Sequence, residues 1–223
     1  MSFEFLFAPV EELDAWLTGL LEGAPLAGAL VVAMLLGLRH ATDPDHVVAV
    51  SSVVASESGD SRAAVRLGAA WGIGHAATLV AVGLPLIALR SELPHGVQTA
   101  AETAVGVVIV ALAARLGWRW LKSDYGRSVR TGRQAFGIGL LHGLAGSGTV
   151  ALLLLAALPT QLAAAGALAV FAPMSILSMA GATGAFAWAV TRPAVEPAYH
   201  AVVVPALGLL GLLFGLWYAG VVG

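Results

Sequence analysis

Cysteine is absent from the 223-residue chain. That excludes disulfides, thiolate metal ligands and a cysteine nucleophile, so any bound metal is held by nitrogen and oxygen. Charge is sparse: 11% of residues are Asp, Glu, Lys or Arg, against about 25% in soluble domains. The formal net charge of -2 offers no basic surface to nucleic acid, and none is expected as a partner. No P-loop is present, so nucleotide hydrolysis, where it is used, belongs to another subunit. A basic secretory leader is missing as well. Residues 1–22 carry Glu4, Glu11, Glu12, Asp14 and Glu22 and no Lys or Arg, the reverse of a leader's basic start.

Apolar residues make up 59% of the chain. A soluble fold of this size has too little interior for them, so a lipid bilayer is the expected surroundings. The expected fold is all-α: a polytopic membrane protein with about six transmembrane helices of some 20 residues each. The spans run over residues 24–55, 65–89, 99–118, 135–158, 162–190 and 200–222. The first is too long for one straight helix and is expected to break near Pro44. Residues 1–23 repeat Phe, Leu, Val and Trp at near-helical spacing and read as an acidic amphipathic helix on the membrane surface. Trp118, Trp120, Trp188, Trp217 and Tyr218 fall near span ends, where aromatic rings favour the interface.

Charge sets the orientation. Residues 119–134 hold Arg119, Lys122, Arg127, Arg130 and Arg133, which marks this loop as cytoplasmic. Alternation then puts Arg62, Arg66 and Arg192 inside, and Arg90 and both termini outside. An inner (plasma) membrane location follows. The loop also separates two halves, residues 24–118 and 135–223, of three spans each.

The halves share a weak repeat. Gly37-Leu38-Arg39-His40, followed by Val48-Ala49, resembles Gly139-Leu140-Leu141-His142, followed by Val150-Ala151, at identical offsets. An odd number of spans per half inverts the second copy, a plan common among transporters, with the substrate held at the midplane between broken helices. Gly143, Gly146 and Gly148 stand where the first half has Asp-Pro-Asp-His, so the fourth helix is also a candidate for interruption.

The chemistry concentrates in Arg39-His40-Ala41-Thr42-Asp43-Pro44-Asp45-His46. A charged side chain at the bilayer centre costs roughly 2.5–3.5 kcal/mol on insertion scales, so such residues rarely sit there without a task. On an ideal helix His40, Asp43 and His46 share an arc of about 120°. Pro44 lacks an N–H and frees the carbonyl of His40; local unwinding there would turn Asp45 inward and offer that carbonyl as a ligand. Imidazole suits nickel, cobalt, copper and zinc, and carboxylate adds charge compensation.

His75 lies mid-span in Trp71-Gly72-Ile73-Gly74-His75. A lone histidine is more often bonded to a nearby carbonyl, but Gly72 and Gly74 permit close helix approach, and His75 joins the candidate ligands. His142 joins them through the repeat. Met174, Ser175 and Ser178 follow Pro173 and are candidates to line a pathway, although a Met in an apolar span is usually packing. Glu102 reads as a headgroup contact, and His95 and His200 as loop or interface residues. Arg39 either pairs with Asp43 or Asp45 or snorkels.

The stretch His40-x4-Asp45-His46 resembles the signature of the nickel/cobalt transporter (NiCoT) family, and Gly74-His75 is similar to that family's second histidine motif. The resemblance implies uptake of nickel or cobalt and a role in metal binding for His40, Asp43, Asp45, His46 and His75. The chain departs from the pattern at Ala76, where the family has Ser, and lacks the later acidic motifs. Gly139 to Gly148 is similar instead to short six-span relatives, the urease- and hydrogenase-accessory type of permease.

The expected function is transmembrane transport of a divalent transition-metal ion, nickel or cobalt, through a site of His40, Asp43, Asp45, His46, His75 and His142. Nickel or cobalt is then the transported substrate, with no prosthetic group, and the ion and the lipid bilayer are the partners. Two other classes compete. An intramembrane metalloenzyme would use the same His/Asp cluster to hold zinc or iron and activate water. A haem-binding subunit would need His residues on facing helices at matched depths, and Asp43 and Asp45 fit it poorly.

Overall fold

The computed structural model describes residues 12–13, 16, 19, 26–43, 45–47, 50, 60–91, 94–122, 131–143 and 158–221. Pro44, most of the N-terminal segment, half of the basic loop, part of the second half of the first span and most of the second half of the fourth lie outside them.

Among the described residues six main helices follow in order: α1 (Leu26–Arg39), α2 (Ser61–Leu89), α3 (His95–Leu121), α4 (Gly132–His142), α5 (Gln161–Val190) and α6 (Glu196–Tyr218). No strand occurs among the described residues. Side chains fix several starts. Asp60 accepts from Arg62 N, Thr160 accepts from Ala163 N, and Thr131 forms a reciprocal capping box with Gln134, each satisfying an N–H that the first turn leaves orphaned. The helices α2, α3, α5 and α6 are long enough to cross a bilayer, and each contains an 18-residue apolar stretch, of mean hydropathy 1.8, 1.7, 1.9 and 2.0 respectively. The protein is an all-α, polytopic membrane protein.

The first helix breaks where the ionisable residues begin. After Arg39 one tight 3-10 turn covers His40–Thr42, and Asp43 is extended at φ -63° and ψ 142°. Helical backbone resumes over residues 45–47, with Val47 N donating to the Asp43 carbonyl at 2.9 Å. The His40 carbonyl accepts from Asp43 N at 3.2 Å.

α2 and α5 cross at the centre of the bundle; α1 lies against α5, α4 against α2, and α3 pairs with α6. Apolar burial does not drive helices together in lipid, so close packing and interhelical hydrogen bonds must. Gly72 and Gly74 provide that contact as expected. A Cβ on Gly74 would collide with the Phe136 carbonyl of α4, and one on Gly72 would lie 2.9 Å from Ile176 Cα of α5. At one end of α3 the Lys122 ammonium sits 4.6 Å from the Trp118 ring centre, and at the end of α5 the Arg192 guanidinium sits 3.9 Å from that of Trp188. These are the aromatic and basic anchors of helices that stop at an interface.

Candidate metal centre

The break in α1 carries its imidazoles into the bundle rather than along one helix face. His40, Asp43, Asp45, His46, His75 and His142 are all at most 1% exposed, although they come from three separate parts of the chain. The structure therefore brings together every residue expected at the site.

Two groups form within it. His40, His46 and His75 offer ring nitrogens within 4.8 Å of one another, and so do the ligand atoms of Asp45, His46 and His142. His46 belongs to both. The closest pair is His40 Nε2 and His75 Nε2, 2.8 Å apart. Two lone pairs cannot face each other at that distance, so either a proton or a cation must stand between them. Two nitrogens bound to one metal ion at about 2.0–2.1 Å lie about 2.9 Å apart when they subtend a right angle. The observed spacing suits either occupant.

The carboxylates stand behind the imidazoles. Asp43 Oδ2 is 3.2 Å from His40 Nδ1, and Asp43 Oδ1 is 2.6 Å from Arg39 Nη1. Asp45 Oδ1 is 3.0 Å from His46 Nδ1, and Asp45 Oδ2 is 3.3 Å from His142 Nε2. A carboxylate only accepts, so the hydrogen bond from His46 to Asp45 fixes a proton on His46 Nδ1 and leaves its Nε2 bearing a lone pair. This is the arrangement by which outer carboxylates orient metal-binding histidines. Asp43 falls in neither ligand group, and Arg39 pairs with it rather than reaching for the interface. His75 Nδ1 is buried without a hydrogen-bond partner.

Aromatic walls close the cluster. His46 stacks on Trp71 with ring centres 5.4 Å apart, while Trp71 meets His142 edge-on at 5.6 Å and Phe171 meets His40 edge-on at 5.2 Å. Neither aromatic was a candidate from sequence. The signal for Trp71 was its position one helical turn before His75, on the same face of α2. The Ser178 hydroxyl donates to the Leu38 carbonyl and accepts from Ala41 N, tying the end of α1 to α5. Met174 is half-buried and packs against α1 at Gly37. Glu102 accepts from Gln98, His95 starts α3 beside Thr99, and the His200 carbonyl accepts from the Trp120 indole.

Such a buried cluster, walled by aromatics and rich in imidazole nitrogen, matches a divalent transition metal better than a hard ion. Comparison with curated proteins points the same way. The chain is 26% identical over 208 residues to a urease accessory protein, UreH, from Bacillus sp. (strain TB-90), covering 86% of this chain and 91% of that one. It is 31% identical over 107 residues to a high-affinity nickel transport protein from Cupriavidus necator, covering 47% of this chain and 30% of that one. The resemblance seen in the motif is borne out. No family model matches the chain, and neither does a solved structure.

Proposed function

We propose that this protein carries a divalent transition-metal ion, nickel or cobalt, across the membrane through the buried His/Asp cluster. His40, His46 and His75 coordinate the ion through nitrogen. Asp45 and His142, with His46, provide a second set of donors. Asp43 orients His40, and Asp43 and Asp45 together offset the ion's charge. The observation that carries this reading is the 2.8 Å approach of His40 Nε2 to His75 Nε2, with His46 completing a triad inside an apolar bundle.

The name of one relative, a high-affinity nickel transport protein, supports transport of nickel rather than catalysis on it. Nickel is then a substrate in transit and not a resident cofactor. The basic ends of α3 and α5, with Lys122 and Arg192 over their tryptophans, support a cytoplasmic side there. Six spans, extracytoplasmic termini and an inner-membrane location complete the reading.

The test is uptake into proteoliposomes enclosing a metal-sensitive dye, with nickel, cobalt, zinc and manganese offered separately. Nickel or cobalt enters in the wild type and not in His46→Ala. Equal entry in both proteins would reject the site. Hydrolysis of a lipid or peptide with metal fixed in place would favour the metalloenzyme instead.

A further inference from the structure

The two sides of the centre are built alike. Gly37 and Leu38 in the last turn of α1, with His40 just beyond it, have the same spacing as Gly139, Leu140 and His142 at the end of α4. Each helix end docks on a partner in the same manner. A Cβ on Gly37 would strike the Phe171 carbonyl and approach Ser175 N of α5; a Cβ on Gly139 would strike the Trp71 carbonyl and approach His75 N of α2. Ser178 of α5 donates to the Leu38 carbonyl, and Thr78 of α2 donates to the Leu140 carbonyl. His40 meets Phe171 edge-on, and His142 meets Trp71 edge-on.

In α5, Phe171, Ser175 and Ser178 therefore repeat the spacing and the contacts of Trp71, His75 and Thr78 in α2. The packing has the same symmetry. Exchanging α1 with α4, α2 with α5 and α3 with α6 turns the α1–α5 contact into α4–α2 and leaves the α2–α5 and α3–α6 contacts unchanged. Between α2 and α5 the correspondence changes chemistry at the middle position: where α2 presents His75, α5 presents Ser175.

We propose that the halves form an inverted repeat about an axis through the α2–α5 crossing, and that Ser175 lines the ion's route as the second half's counterpart of His75. This rests on the transport reading above. Ser175 is fully buried and its hydroxyl donates to the Ala172 carbonyl at 2.8 Å, so its oxygen keeps lone pairs for an ion. An inverted repeat reverses access by exchanging the conformations of its halves. With an imidazole on one side and a hydroxyl on the other, the ion is held tightly next to α2 and weakly next to α5, which favours release on the Ser175 side.

The chain has no cysteine, so Ser175→Cys introduces a single near-isosteric thiol. In membrane vesicles, a small charged methanethiosulfonate reagent should modify that thiol, and nickel should slow the reaction several-fold. Ala167→Cys, buried on the same helix, should stay unmodified. Ser175→Ala should lower nickel uptake about tenfold. A thiol in Ser175→Cys that is inert, or that reacts equally fast with and without nickel, overturns the proposal. Where that variant fails to reach the membrane, wild-type uptake by Ser175→Ala overturns it. Wild-type and His46→Ala vesicles run in parallel separate this outcome from failure of the transport reading, which would show as equal uptake by those two.

Discussion

Asp45 Oδ2 lies 3.3 Å from His142 Nε2, joining the broken end of the first helix to the last residue of the fourth. The same carboxylate holds His46 through its other oxygen at 3.0 Å. One side chain thus ties a ligand in the first half to an imidazole in the second. Asp45→Asn keeps the shape and one acceptor but loses the charge that offsets a dication. It should weaken nickel binding by about 10–100-fold, the usual cost of losing an outer-shell partner, while the protein still inserts. Calorimetric titration of the purified variant measures this.

Asp43→Asn probes a different arrangement. Asp43 stands between Arg39 and His40, and losing its charge takes a counter-charge away from the guanidinium in an apolar bundle. Breaking a buried ion pair by removing one partner typically costs about 3–5 kcal/mol. A lower thermal midpoint in detergent is therefore expected along with weaker nickel binding. In the double variant Arg39→Gln/Asp43→Asn the stability loss should be partly restored and the binding loss should persist, because His40 still lacks its orienting carboxylate.

The packing of α4 on α2 is tight enough to test alone. Gly139→Ala puts a methyl group into the Trp71 carbonyl, and overpacking of this kind costs typically about 1–3 kcal/mol. The thermal midpoint should fall, and His142 should be displaced from Asp45. Gly137→Ala, where the added carbon meets nothing nearby, should leave the midpoint unchanged. Equal midpoints for the two variants would show that α4 does not dock as described.

Nickel binding should weaken as pH falls. Coordination needs neutral imidazoles, so protons and the metal compete for the same ring nitrogens. The sign follows from mass action: more protons compete as pH drops, so affinity decreases and binding releases protons. Titration in buffers of different ionisation enthalpy reads that release directly. Affinity unchanged by acidification through the titration of the site's imidazoles would contradict an imidazole site.

Much of this was legible in the sequence. Ionisable residues in an apolar run are conspicuous because lipid penalises them, and His40, Asp43, Asp45 and His46 stood out on that ground alone. The break in α1 was expected from Pro44 and is seen at its neighbours, His40 to Asp43. His75 and His142 were weaker candidates, each a single imidazole in an apolar span. What sequence did not reveal depends on tertiary geometry: that Asp43 backs His40 instead of joining a ligand group, that Trp71 and Phe171 wall the cluster, and that Ser178 and Thr78 bond to carbonyls of other helices. The tightening of the chain into a 3-10 turn, with Asp43 N donating to the His40 carbonyl, was not legible either.

X-ray absorption at the nickel edge of the purified, nickel-loaded protein tests the central claim most directly. A site built on His40, His46 and His75 predicts the outer-shell scattering of three imidazoles around each ion, falling to two in His75→Ala. A spectrum of oxygen ligands with at most one imidazole, unchanged by His75→Ala, would contradict it.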